Sequence, residues 1–166
     1  KSLRVLKQGG GINLQEGPVR ITADSLIFDE DSGVAQAGGN VEVALGERTI
    51  RADRIRYDSR LGEAEFAGQV RYRDGEEEFS FDRITLNLDK ETGVLYNGTI
   101  RISNNNYQIT SRKIEKTGKS TFLIEKGSLT TCPCDPEPDW KFEVRRAQVT
   151  LDQYAVGKDI TFRIHG

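Results

Sequence analysis

Three stretches of this chain repeat at a constant interval. Ile50–Tyr72 (IRADRIRYDSRLGEAEFAGQVRY) is preceded by Ile21–Val43 (ITADSLIFDEDSGVAQAGGNVEV) and followed by Phe79–Ile102 (FSFDRITLNLDKETGVLYNGTIRI). Looser copies begin at Ile109 and near Val144. The first four copies open at 21, 50, 79 and 109, in steps of 29, 29 and 30 residues. A fixed period of this length specifies one supersecondary unit, which buries its apolar face only by stacking on its neighbours.

Each unit reads strand, turn, strand. The first arm carries β-branched, aromatic and Leu residues, as in Ile21, Leu26, Ile27 and Phe28 or Phe79, Phe81, Ile84 and Leu86. Polar, Gly-containing turns are expected at Asp29–Gly33, Asp58–Gly62 and Asp89–Gly93. The second arm passes a Gly (Gly39, Gly68, Gly98, Gly127) and then alternates, as in Val41/Val43, Val70/Tyr72 and Ile100/Ile102. Period-2 apolar spacing between such turns is the signal of half-buried antiparallel strands. The alternation also slips by one residue inside each arm: Ile50 and Ala52 share one face, Ile55 and Tyr57 the other. Keeping the apolar side inward through that slip requires a bulge or bend near Asp24, Asp53 and Asp82, with the arm glycines as its counterpart. The expected fold is all-β: an elongated β-jellyroll or open sandwich of stacked, bent antiparallel hairpins with a repeat of about 29 residues.

The recurring Asp at 24, 53 and 82 invites comparison with a row of calcium ligands. Calcium takes about six to eight oxygens, and one Asp per repeat does not gather them. A local side-chain hydrogen bond at a bend accounts for it better. No metal site and no cofactor is expected.

The length of 166 residues suits one domain with a core, expected over 18–166 behind a lead-in segment at 1–17 containing Gly9-Gly10-Gly11 and a short strand around Leu3–Leu6. The chain has no Met, so a fragment or processed chain is expected. With 24 basic and 26 acidic residues it lacks the basic footprint of a nucleic-acid binder. The arginines of the second repeat (Arg51, Arg54, Arg56, Arg60, Arg71, Arg73) alternate with glutamates and read as a solvated outer face of mixed sign, with phosphate contact at a groove mouth as the functional alternative. One His and no separated carboxylate pair give an enzyme nothing to work with, so no catalytic residue is expected.

The period breaks at Thr130–Trp140, which holds Cys132, Cys134, three of the four prolines and the single Trp. So dense a Pro run excludes a central strand, leaving an ordered loop packed by Trp140 on the sandwich end. A metal site lacks its four-ligand set, a redox site lacks the Cys-x-x-Cys spacing, and a Cys-x-Cys disulfide closes a very short, strained ring. Pairing with a cysteine elsewhere is the remaining option.

The pattern I-x-A-D-x-(I/L)-x-(Y/F)-D…G-x-V-x-(V/Y), carried by Ile21–Val43 and Ile50–Tyr72, resembles the OstA-type domain of bacterial lipopolysaccharide transport. The Thr-Thr-Cys-Pro loop before Trp140, Tyr154–Lys158 and the Ile160–Ile164 strand make the N-terminal periplasmic domain of the outer-membrane assembly protein LptD the most similar member. The resemblance implies a β-jellyroll on the periplasmic face of a Gram-negative outer membrane. Its apolar interior would carry lipopolysaccharide acyl chains from a periplasmic bridge protein of the same fold, docked by edge-strand pairing, to a C-terminal β-barrel of the same chain with its plug lipoprotein. It implies a disulfide from Cys132 to a cysteine of that barrel; Cys134 departs from the family pattern and leaves open which of the two pairs. Candidates for the lipid lining are Phe28, Val43, Ile55, Tyr57, Val70, Tyr72, Ile84, Leu86, Ile100, Ile102 and Leu129, against the simpler role of β-sandwich core. The competing reading is a structural β-solenoid-like scaffold assembling through its strand edges.

Overall fold

The computed structural model describes residues 3–4, 20–75, 77–90, 92–102, 106–118, 121–132, 138–150 and 153–164. The described residues contain no helix, hence none long and apolar enough to cross a membrane. They form twelve strands: β1 (Leu3–Arg4), β2 (Arg20–Thr22), β3 (Ser25–Asp29), β4 (Val34–Leu45), β5 (Arg48–Asp58), β6 (Glu63–Asp74), β7 (Glu77–Asn87), β8 (Thr92–Ile102), β9 (Tyr107–Lys116), β10 (Thr121–Thr130), β11 (Trp140–Thr150) and β12 (Tyr154–Ile164). All belong to one antiparallel sheet in the order β1-β2-β4-β5-β6-β7-β8-β9-β10-β11-β12, with β3 continuing β2 along β4. From β4 to β10 neighbours in the sheet are neighbours in sequence, the arrangement short antiparallel connections give.

Pairing puts the repeated apolar positions in register. One row crosses ten strands: Ile21, Val43, Ile50, Tyr72, Phe79, Ile100, Ile109, Leu129, Phe142 and Phe162, each opposite the next. A second, on the other side of the bend, runs Leu26, Ala37, Ile55, Phe66, Ile84, Leu95, Ile114, Ile124, Ala147 and Gly157. Residues opposite each other share a face, so these rows are the two inner halves of the folded sheet. A cluster of Ala52, Ala64, Phe66, Val70, Phe81 and Ile84 draws on both sides of the bend and closes the interior across β5–β7.

The bend lies where the phase slip requires it. The pairing register shifts by one between Gly38 and Val41, between Arg51 and Arg54, and between Ala67 and Val70. Gly39-Asn40 faces Asp53, and Gly68-Gln69 faces Asp82, two residues against one, as in a β-bulge. The left-handed backbone positions Asn40, Gln69, Asn97, Lys126 and Asp159 extend the same line to the last strand. The repeated Asp serves this bend. The Asp24 N–H donates to the Gly39 carbonyl at 2.9 Å, and the Asp24 carboxylate accepts from Asn40 Nδ2 at 2.9 Å. Asn97 Nδ2 makes the equivalent bond to Asp82 at 2.9 Å.

Turns at one end of the hairpins also stack. Asp29 Oδ1 accepts from the N–H groups of Asp31 and Ser32, Asp58 Oδ1 from those of Arg60 and Leu61, and Asn87 Oδ1 from that of Lys90. The carbonyls of Gly33 and Gly62 accept from the N–H of Ser59 and Leu88 in the next turn, at 3.0 and 2.8 Å. The third turn therefore opens at Asn87 and not at Asp89: β7 ends at Asn87, one period after Asp58, because the amide caps the turn as a carboxylate does. Of the expected lead-in strand, Leu3–Arg4 pairs with Arg20–Ile21; the rest of that segment lies outside the described residues.

Candidate functional site

The apolar inner face is the site, and its accessibility changes along the sheet. In the middle it is shut: Val70 is 0% exposed, Phe66, Phe81, Ile84 and Ile114 are buried, and Ile55, Tyr57, Val43, Leu86 and Ile100 pack against that cluster. Among the eleven sequence-predicted lining residues, seven therefore lie in the closed core. Tyr72 sits beside them, its ring stacked on Phe79 at 5.3 Å. Leu129 is half-buried between Ile109 and Phe142. Phe28 stands on the edge strand β3, 58% exposed. The backbone of Ile102 pairs with Tyr107, and its side chain lies outside what is described.

At each end of the sheet the inner face opens to solvent. Leu26 and Phe28 are exposed at the first end. At the last end, Phe142 (42%), Phe162 (51%), Ile160 and Ile164 (72%) are exposed. Trp140, Phe142 and Phe162 form an aromatic cluster with centroids 4.8–6.1 Å apart, in edge-on and tilted arrangements that ring quadrupoles favour. Ordinary monomer surfaces seldom line up this many large apolar residues. Sequence reasoning drew its candidates from the clear repeats and left out Phe142, Ile160, Phe162 and Ile164. The signal was present in the Ile160, Phe162, Ile164 alternation of the loosest copy.

Beside this open end the period-breaking loop is tied down at its stems. The buried Thr130 hydroxyl donates to the Trp140 carbonyl at 2.7 Å and accepts from the Cys132 N–H at 3.0 Å. Trp140 thus opens β11 and packs among strand aromatics, as well as fixing the loop stem. Cys132 Sγ lies 3.5 Å from Asp139 Oδ2. No thiol among the described residues is free, so this is a sulfur–oxygen contact and not a hydrogen bond. Cys134 lies outside the described residues. On the outer face Glu143 receives Lys141 at 3.0 Å and Arg163 at 2.6 Å, and these two cations, Lys141 first, hold its carboxyl below the usual range. The second-repeat arginines lie on that outer face too: Arg51 pairs with Glu42 at 2.7 Å and Arg73 reaches Glu78 at 4.0 Å. Among the described residues no three His, Cys, Asp or Glu side chains gather as metal ligands.

A solved relative shares this architecture. LptH of Pseudomonas aeruginosa, the LptA-homologous periplasmic component of the lipopolysaccharide transport device, superposes with a TM-score of 0.51 at 17% identity, over 81% of this chain and 95% of that one. At that identity the likeness is one of fold. No curated protein sequence matches. The model of the LptA/LptD N-terminal domain family of lipopolysaccharide-transport proteins matches residues 20–143, three quarters of the chain from the edge of β2 into β11. This protein belongs to that family.

Proposed function

We propose that the chain is a periplasmic lipid-carrier module of lipopolysaccharide transport, binding acyl chains on its apolar inner face. The observation that carries this reading is the inner face itself: two apolar rows run the length of the sheet, shut in the middle, one opening at β3 and the other at β11–β12. Acyl chains are recognised by dry apolar surface with no polar group demanding a partner, and area removed from water stabilises them by about 25 cal/mol per Å². Of the sequence-predicted set, Phe28, Tyr72 and Leu129 line this face where lipid reaches it, together with Phe142, Ile160, Phe162 and Ile164; the seven in the closed core, Val70 among them, hold the face together.

The edge strands support the finer assignment. Among the described residues β3 and β12 each have a strand partner on one side only, with Ile27, Phe28, Val156 and Phe162 exposed along them. Such edges invite strand addition. The β3 edge accepts a bridge protein of the same fold, and the β12 end faces a C-terminal β-barrel with its plug lipoprotein at the outer membrane. Cys132 is disulfide-bonded in this structure, so a covalent link from this loop to the barrel forms by thiol–disulfide exchange, a barrel thiolate attacking that bond and releasing the displaced sulfur as a thiol. Peptide mapping without reduction, on the protein as it occurs in cells, tests that link: a Cys132 or Cys134 peptide joined to a cysteine elsewhere supports it, and a Cys132–Cys134 peptide as the only product refutes it.

The carrier reading is tested by photo-crosslinking to lipopolysaccharide in exporting cells, with the crosslinker at Tyr72, Leu129 and Phe162 and at Arg60 on a turn tip as the outward control. Lipid adducts at the three inner positions and none at Arg60 are expected. Their absence from every inner position sinks the carrier and leaves a scaffold that assembles through its edges.

A further inference from the structure

The bend changes chemistry halfway along the sheet. Over β4–β8 its left-handed positions are the amides Asn40, Gln69 and Asn97, and Asn tolerates positive φ best after Gly. Two of them hydrogen-bond the repeated Asp. At β10 the position is Lys126, held at φ 49°. The registers on either side set it opposite Arg112 on β9 and Arg145 on β11. Three cations therefore follow one another across adjacent strands, spaced at about 4.8 Å, where like charges repel. Arg146 and Lys158, directly paired in register, add two more one residue away.

These groups surround a shallow outer-face depression of about 400 Å³ lined by Glu125, Lys126, Arg145, Arg146, Lys158 and Asp159. Among the described residues only Arg145 of these cations has an ion pair, with Asp159 at 3.4 Å, and both side chains are largely exposed. Glu125 stands opposite Arg146 in register, yet none of Lys126, Arg146 and Lys158 makes an ion pair within 4.0 Å among the described residues. The chain as a whole carries a net charge of −2, so this concentration of positive charge runs against its composition. A strained backbone position filled by a poorly suited residue, without a compensating partner, is where a chain departs from folding economy for function.

We propose that this ledge binds an oxyanion of the phosphate class, a phosphate ester whose oxygens are shared by Lys126, Arg145, Arg146 and Lys158. The guanidinium forks of Arg145 and Arg146 suit bidentate contact, and the lysines add point charge. The site is on the outer face and does not depend on lipid inside the sheet. The ester belongs either to a small soluble molecule or to an anionic lipid headgroup.

The experiment titrates the protein with inorganic phosphate at constant ionic strength, following the Arg and Lys side-chain NMR signals, and in parallel measures sedimentation with phosphatidylglycerol and phosphatidylcholine vesicles. Lys126→Asn restores the amide found at the other bend positions, so it folds; Arg146→Gln and the distant outer-face Arg51→Gln complete the set. Saturable shifts at Lys126 and Arg145, weakened at least about fivefold in Lys126→Asn and Arg146→Gln and unchanged in Arg51→Gln, are expected. Phosphatidylglycerol sedimentation lost in the same two variants assigns the ester to a headgroup; phosphate saturation without vesicle binding assigns it to a soluble molecule. No saturation by phosphate or by vesicles, or equal weakening by Arg51→Gln, overturns the proposal. So does tighter binding of polyglutamate than of either phosphate probe, which would make the ledge a surface for acidic protein.

Discussion

Asn40 Nδ2 donates to Asp24 Oδ2 across 2.9 Å, joining the two sides of the bend from a residue whose own backbone is left-handed at φ 47°. Backbone and side chain ask for the same residue type here. Asn40→Ala loses the hydrogen bond and, with it, the polar side chain that makes a left-handed backbone tolerable for Asn, together about 1–2 kcal/mol. Asn40→Gly loses only the bond and is expected to cost about 0.5–1 kcal/mol. Urea midpoints of the three proteins should rank wild type, Gly, Ala; an Ala variant as stable as wild type would detach the Asp repeat from the bend.

Further along the bend, glycine is required by space. A Cβ on Gly98 would overlap the ring of the buried Phe81 and lie 2.9 Å from the Ser80 carbonyl. Neither can retreat, because Phe81 belongs to the central cluster and Ser80 to the ladder. Gly98→Ala is expected to cost about 3 kcal/mol through overpacking. Gly75→Ala meets no atom within 4 Å and suffers only its positive φ of 58°, for about 1 kcal/mol. Thermal denaturation of both variants checks that difference.

The bend was legible in the sequence because a phase slip in a period-2 pattern has one economical structural solution, an extra residue. The hairpin order followed from the repeat. What the repeat did not disclose was where the interior closes. Val43 and Phe142 occupy one cross-strand row and look alike as alternating apolar residues, yet one packs against the central cluster and the other is largely exposed. Each stands one strand in from an end of that row, so their place along it does not separate them; what does is which end of the assembled sheet folds over its inner face. The third turn was misplaced because Asp89 matched the residue type of Asp29 and Asp58, whereas the period fell on Asn87, whose amide oxygen performs the same capping.

Acid should loosen the turn stack at Asp29. The N–H and hydroxyl of Ser32, in that order, hold its carboxyl below the ordinary value of 3.8, with the Asp31 N–H and Arg60 adding to the effect. A lowered folded-state pKa contributes stability that is complete above the unfolded value. That contribution disappears as the pH falls from there through the lowered native value. Asp29→Asn keeps a capping oxygen, as Asn87 does naturally, and cannot titrate. Between about pH 5 and pH 2 the wild-type urea midpoint should fall more steeply than that of Asp29→Asn, the other carboxylates cancelling in the comparison. Parallel curves would mean that Asp29 is equally acidic in the unfolded chain.

Stability and lipid capture should separate along the inner face. Val70 is fully buried in the central cluster, so Val70→Ala leaves a cavity and is expected to cost about 2–3 kcal/mol. Phe162 is half exposed on the last strand, and its neighbours Trp140 and Phe142 remain in contact without it. Phe162→Ser is therefore expected to change the unfolding free energy by less than about 1 kcal/mol. If the open end receives acyl chains, that same variant loses binding of lipopolysaccharide by about fivefold or more, because a ring's apolar area no longer leaves water on contact with lipid. Chemical denaturation alongside a lipopolysaccharide binding titration resolves the two effects. Val70→Ala, measured where it remains folded, should bind lipid at that end like wild type. Equal binding by wild type and Phe162→Ser would place lipid capture away from the exposed end and deeper in the closed half of the sheet.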